Sequence, residues 1–208
     1  MFAKGSLQLY GARVDLETIT PDATALRALS HPVRLRILGR LRFDGPATAT
    51  SLAQRLGLNS GATSYHLRQL AAHGFVVDDT TRGNGRERWW RAAHQSTRTP
   101  DEAEQAQDPA AQDANDAFNQ AVAVVHTEGL QRAVEERPLL PVPWRAASTL
   151  SDWGLRLTPG RAQQLMKAVV AVVDGWEEDG EGEPGAELYQ VVLHTYPRPG
   201  RVATEPCS

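Results

Sequence analysis

Hydrophobic positions in the first half of the chain recur at intervals of three and four, in bursts cut by turn formers, the pattern of short packed helices. Pro21-Asp22 opens a first helix carrying Leu26 and Leu29. His31-Pro32 opens a second, because proline is tolerated at the first helical position, where its missing N–H had no partner to lose. Val33, Ile37, Leu38 and Leu41 share one face of that helix, Arg34, Arg36 and Arg40 lie off it, and Asp44-Gly45-Pro46 ends it. The spacing predicts a third helix over Thr50–Leu56 and a tight turn, Gly57-Leu58-Asn59-Ser60. A fourth helix follows over Gly61–His73, with Ser60 as N-cap, Gly74 as the stop and Leu67, Leu70 and Ala71 inside. Phe75-Val76-Val77 and Glu87–Ala92 read as two strands joined by an exposed, arginine-bearing hairpin turn. Trp89 and Trp90 are adjacent on the second strand, so they point to opposite faces, one of them inward.

The second half is patterned differently. Residues 95–116 read as a polar linker running into a helix from about Asp113 to Glu135, with Phe118, Ala121, Val122, Val125 and Leu130 on one stripe. A proline-rich connector leads to Trp153, Leu155 and Leu157, which alternate with other residues as in a half-buried strand. Thr158-Pro159 begins a helix to about Trp176, an acidic loop follows, and Leu188–Tyr196 reads as a last strand. The expected architecture is mainly α, within the α+β class. It comprises an arm at 1–20, a helical unit with a β-hairpin at 21–95, and a region at 96–208 made of a long helix and a small α+β unit.

Charge sharpens this division. Residues 24–95 hold eleven arginines against four acids, a net +7, whereas residues 96–208 hold nine basic residues against eighteen acids, a net −9. A basic half joined to an acidic one points to a polyanion partner for the first alone. No stretch approaches the roughly 18–20 apolar residues of a membrane-spanning helix, and no secretory leader pattern opens the chain. The one cysteine, Cys207, supports neither an internal disulfide nor a metal site, so a cytoplasmic location is expected with no metal and no cofactor. Catalytic signatures are absent and no enzyme activity is expected: there is no His-Glu-x-x-His, no Gly-x-Ser-x-Gly and no phosphate-cradling glycine loop.

The strongest constellation is helix, short turn, helix, basic hairpin, the helix-turn-helix arrangement whose second helix enters the major groove of DNA. Such a helix needs small residues for close approach and polar groups to bond to bases. Ser60, Gly61, Thr63, Ser64, Tyr65, His66, Arg68 and Gln69 supply both, with positions 61, 64, 65 and 68 on one face. Arg68 suits a bidentate contact with guanine, a pairing that discriminates by about 1–3 kcal/mol. Arg82, Arg86 and Arg88 on the hairpin would lie along phosphates or dip into the minor groove.

His31-Pro32-x-Arg34-Leu35-x-Ile37-Leu38, Leu52-Ala53-x-x-Leu56-Gly57, Asn59–Leu70 and Gly74-Phe75-Val76 together resemble the ArsR-type winged-helix regulators, in particular actinobacterial members with a longer C-terminal half. The match is specific over residues 24–95 and looser beyond. The resemblance implies a homodimer that binds double-stranded operator DNA, usually as a repressor under control of an effector. Ser60, Ser64, Tyr65 and Arg68 would read the groove, Arg82, Arg86 and Arg88 would form the wing, and Phe118, Ala121, Val122 and Val125 would line the dimer seam. The metal-sensing relatives carry a cysteine pair in the third helix, which this chain lacks. Its His126 and Glu128 stand two residues apart, off a common helical face, so metal sensing of that kind is not expected. Two rival readings stay open. One is a small-molecule sensor whose C-terminal Trp144, Trp153, Met166, Trp176, Tyr189 and Tyr196 line an apolar pocket. The other is a winged-helix protein-interaction module that does not bind DNA.

Overall fold

The computed structural model describes residues 7–9, 12–14, 18–82, 87–99, 108–180 and 182–202, the first two stretches as backbone only. It divides into two compact units, residues 1–150 and 151–208. In the first, β1 (Leu7–Leu9) and β2 (Ala12–Val14) pair antiparallel, and β3 (Thr18–Ile19) leads into α1 (Ala23–Leu29) and α2 (Pro32–Phe43). Then come β4 (Ala47–Thr48), α3 (Ala49–Leu56), α4 (Ser60–Ala72), β5 (Val76–Asp78), β6 (Trp89–Ala92) and β7 (Ser96–Thr97). A 28-residue helix, α5 (Pro109–Glu136), a 3-10 turn and α6 (Val142–Ala147) complete the unit.

Each helix starts where a side chain can satisfy an orphan N–H. The Asp22 carboxylate accepts from Ala25 N at 2.8 Å. His31 caps α2 through its Nδ1, which accepts from Val33 N at 3.1 Å ahead of Pro32. Thr48 Oγ1 accepts from Ser51 N at 3.2 Å to begin α3. The cap of α4 is Asn59 rather than Ser60: its side-chain oxygen accepts from Ala62 N at 2.7 Å, and Ser60 is already helical. A carboxamide one position earlier reaches the same free N–H groups, so the helix gains a residue.

The core lies between α1, α2, α3 and α4 and the sheet, built from Leu26, Leu29, Ile37, Leu38, Leu52, Leu67, Leu70 and Phe75. The sheet runs β4-β6-β5, antiparallel throughout, with Ala47 opposite Trp90 and Val76 opposite Ala92. The two-residue strand β4 is too short for any period to reveal in sequence. Of the adjacent indoles, Trp90 is the buried one. A separate parallel pair joins β3 to β7, where Thr18 Oγ1 lies 2.6 Å from Ser96 Oγ. Arg42 fastens that end, donating from Nε to the His94 carbonyl at 2.9 Å and from a terminal nitrogen to Thr97 Oγ1 at 2.8 Å. Burial pushes its guanidinium down to about 10, still charged at neutral pH.

The long helix corrects an expectation. Ala114, Phe118 and Ala121 are buried in the first unit, where α5 packs on α1 and α2. Val122 packs partly against the same core, and Val125 is half-buried. Phe118 and Ala121, expected on a dimer seam, therefore pack inside the protomer, where the apolar faces of α1 and α2 meet them. Ion pairs flank the contact, Arg36 to Glu128 at 3.5 Å and Arg27 to Asp113 at 3.9 Å.

The second unit contains α7 (Pro159–Asp174), capped by Thr158 Oγ1 accepting from Arg161 N at 3.4 Å. The strands expected at Trp153–Leu157 and Leu188–Tyr196 do not form among its described residues. No sheet among the described residues includes either segment, and it is such pairing that makes a strand. Trp153, Trp176 and Tyr196 are 81%, 78% and 73% exposed, so they line no enclosed apolar pocket within the protomer.

Because Phe118 is core, Phe118→Ala is expected to cost about 3–5 kcal/mol in urea unfolding, equally at low and high protein concentration. A loss that shrank as concentration rose would return this residue to an intersubunit seam.

Candidate nucleic-acid interface

The angle between α3 and α4 is set by the turn. Gly57 closes α3 in the left-handed region, at φ 65°, where a side chain would be strained, and Leu58 N bonds back to the Ala53 carbonyl at 2.9 Å. Asn59 then starts α4 at once. With Leu67 and Leu70 buried, the helical repeat turns Ser60, Gly61, Tyr65 and Arg68 outward, all exposed, with Ser64 and Gln69 half-buried beside them. Nothing inside the protomer demands glycine at 61, since a Cβ there would meet only Asn59 Oδ1 at 3.4 Å. Its bareness leaves backbone open on the outer side.

Thr63 does not belong to this face. It is wholly buried, its hydroxyl donating to the Asn59 carbonyl at 3.0 Å. A threonine three residues after a cap falls on the inner side, where its hydroxyl can still satisfy itself on the preceding turn.

His66 points back into the support. Its ring lies 4.8 Å from that of His31 and 5.4 Å from that of Tyr65, and its Nδ1 is buried without a hydrogen-bond partner among the described residues. Burial, then His31 and Arg34, push the His66 imidazole below its ordinary 6.5. Burial, then the Arg34 charge, push His31 the same way. Both rings are thus neutral at pH 7, as the His31 cap requires, since only a neutral ring has an accepting nitrogen. His66 ties the middle of α4 to the start of α2; it orients the outer face rather than forming part of it.

Beside the outer face lies an open cleft of about 390 Å³ between α4, the first turn of α3 and β6. Ser64 and Arg68 enter it from α4, Thr48 from β4, Thr50 from α3, Trp90 from β6, and Glu87 and Arg88 from the chain just ahead of β6. Sequence reasoning missed Thr48, Thr50 and Trp90 here. Only the capping pattern ahead of α3 marks the threonines, and nothing local joins them to residues forty positions away. Arg88 donates from Nε to Asp78 Oδ2 at 2.7 Å, and its guanidinium lies 4.1 Å from the Trp90 ring centre. Arg82 sits 3.6 Å from Asp79 and 5.8 Å from the Trp89 ring centre. Asp79 shapes the turn by accepting from the Thr81 hydroxyl at 2.6 Å, a bond that holds its carboxyl below the usual range. Arg86, the third arginine expected on this hairpin, lies outside the described residues.

Residues 29–78 match a family described as a helix-turn-helix domain. A stretch of 68 residues, 33% of this chain, is 41% identical to the HTH-type transcriptional regulator NmtR of Mycobacterium tuberculosis. The chain spans 56% of the length of that relative. Among solved structures, the transcriptional repressor BigR from Xylella fastidiosa is similar, at 27% identity over 49% of this chain and 83% of its own, with a TM-score of 0.30. So is a homodimeric winged helix-turn-helix DNA-binding domain from Mycobacterium bovis, titled a possible ArsR-family regulator, at 27% identity over 51% and 83%, with a TM-score of 0.30.

The two imidazoles make stability depend on pH. Their folded-state values lie below 6.5, so the unfolded chain binds protons first as pH falls. The stabilisation is complete above that value and is lost as pH drops through the folded-state values. The urea midpoint is expected to fall between about pH 7 and about pH 5.5. His31→Asn combined with His66→Gln, which keeps a capping side chain, should flatten that window. An unchanged slope in the double variant would place the titration elsewhere.

Proposed function

We propose that the winged helix-turn-helix half of this chain is of the ArsR type and that the chain is a sequence-specific DNA-binding transcriptional regulator. It acts as a homodimer on a palindromic operator and represses by occupying it. The observation that carries this reading is the outward polar face of α4 beside a cleft that Arg68 and Arg88 share with Glu87. Gly61 and Ser60 allow close approach, Ser64, Tyr65 and Gln69 offer hydrogen bonds, and Arg68 stands exposed with a geometry suited to a guanine edge. In the described residues α4 carries no acid on this face to repel a phosphate.

Affinity and selectivity would come from different residues. Arg68 reads bases. Arg82, Arg88 and, by its place in the hairpin, Arg86 neutralise phosphates, which releases counterions and makes binding fall steeply with salt. The carboxylates now beside Arg82 and Arg88 are a small obstacle, because exposed ion pairs are worth about 0–1 kcal/mol and are readily exchanged for phosphate. Two-fold symmetry would set half-sites one helical turn apart, roughly 34–36 Å. No described helix is long and apolar enough to cross a membrane. A regulator of chromosomal DNA would work in the cytoplasm.

Fluorescence anisotropy on an operator selected from random duplexes, against a scrambled duplex, tests the division of labour. Arg68→Ala is expected to lose about 1–3 kcal/mol of discrimination, ten- to a hundredfold, at one base pair of each half-site. Arg82→Ala should weaken both duplexes alike and lower the salt slope by about one. If neither substitution altered operator affinity, the outer face of α4 would not be the contact surface.

A further inference from the structure

Three side chains converge where the sheet borders the cleft beside α4. Asp78 on β5 stands opposite Trp90 on β6, and Arg88 precedes Trp90 by two residues. Cross-strand partners share a face, and so do positions two apart, so the three can meet. They do. Trp90 is buried, which makes its ring a fixed surface. The Arg88 guanidinium lies 4.1 Å from the centre of that ring, and its Nε donates to Asp78 Oδ2 at 2.7 Å.

These contacts hold the guanidinium against the ring and through its innermost nitrogen. The two terminal nitrogens are left, and no hydrogen bond occupies them among the described residues. Arg88 and Trp90 both line the cleft, with Arg68 and Ser64 of α4 also in its wall. A planar cation with N–H groups free on one edge suits two oxygens of a single phosphate. Because only Nε engages Asp78, such a phosphate need not displace the carboxylate. Arg82 is held less closely, 5.8 Å from the Trp89 ring centre and 3.6 Å from Asp79, whose carboxylate also serves Thr81.

A long cationic side chain loses rotamer freedom on binding, and the contact weakens by that loss unless the side chain is ordered beforehand. By charge alone Asp78 would oppose a polyanion. Its bond to Arg88 gives it the contrary part. We propose that Asp78 and Trp90 are positioning residues for DNA binding, holding Arg88 so that its terminal nitrogens meet one backbone phosphate at the cleft lined by Arg68. This role rests on the reading of α4 as the groove-entering helix. Glu87 supplies the contrast. It lines the same cleft but makes no bond to Arg88 among the described residues, so toward a phosphate it is only a repelling charge.

Anisotropy titrations of the selected operator with the full chain separate these two parts for an acid. Asp78→Ala removes a negative charge yet is expected to weaken binding about threefold or more. Asp78→Asn also removes the charge but keeps an accepting oxygen, and should recover or exceed the parent affinity. Glu87→Ala should tighten binding, as charge dictates. In an Arg88→Ala background, Asp78→Ala should cost nothing further. An Asp78→Ala chain that bound more tightly, as Glu87→Ala does, would overturn the positioning role. So would an equal loss with and without Arg88, since the effect would then run through the fold. A parent that bound no duplex at low salt would instead remove the regulator reading, and this role with it.

Discussion

The burial of Thr63, Leu67 and Leu70 beneath α4 is the constraint from which the exposed surface follows. A helix repeating every 3.6 residues has one rotational setting, and three inward positions fix it. Gly57 and Asn59 set the direction of the helix axis, the inner face sets its rotation, and the tilted ring contact of His31 and His66 holds its middle against the start of α2. Nothing about the outer residues has to be favourable for the fold. They are free to be chosen for what lies outside it.

The charge carried by the sequence is only partly available at that surface. Arg42 is buried and committed to the chain around His94 and Thr97. Arg40 and Arg55 share Asp44, and Arg36 and Arg27 serve the contact with α5. Counting arginines located the basic half correctly but overstated its reach. What distinguishes Arg68 is position: it stands on the outer face of α4 with no ion pair drawn to it among the described residues.

Legibility followed locality. The helices of the first unit could be read because their periods, caps and stops lie within a few residues of each other, and the stop at Gly74 has the left-handed φ, 74°, that the glycine advertised. The cleft could not, since Thr48, Arg68 and Trp90 meet only through the sheet order β4-β6-β5. Thr63 was misjudged because polarity suggested exposure, whereas its hydroxyl satisfies itself on the backbone. The stripe through Phe118 marks the limit of a pattern: it states that a face will be covered and is silent on what covers it. For Phe118 the cover is α1 and α2, and the strand expected over Leu188–Tyr196 enters no sheet among the described residues.

The parallel pair β3–β7 has an effect on the economy of the whole chain. It lays residues 18–19 directly beside residues 96–97, with Arg42 bridging the exit. The winged helix therefore begins and ends at one point, a closed loop of polypeptide whose entry and exit lie side by side. The helix after that exit is no free appendage, since it returns Ala114 and Phe118 to the interior, so exchange of flanking sequence stops where that helix begins.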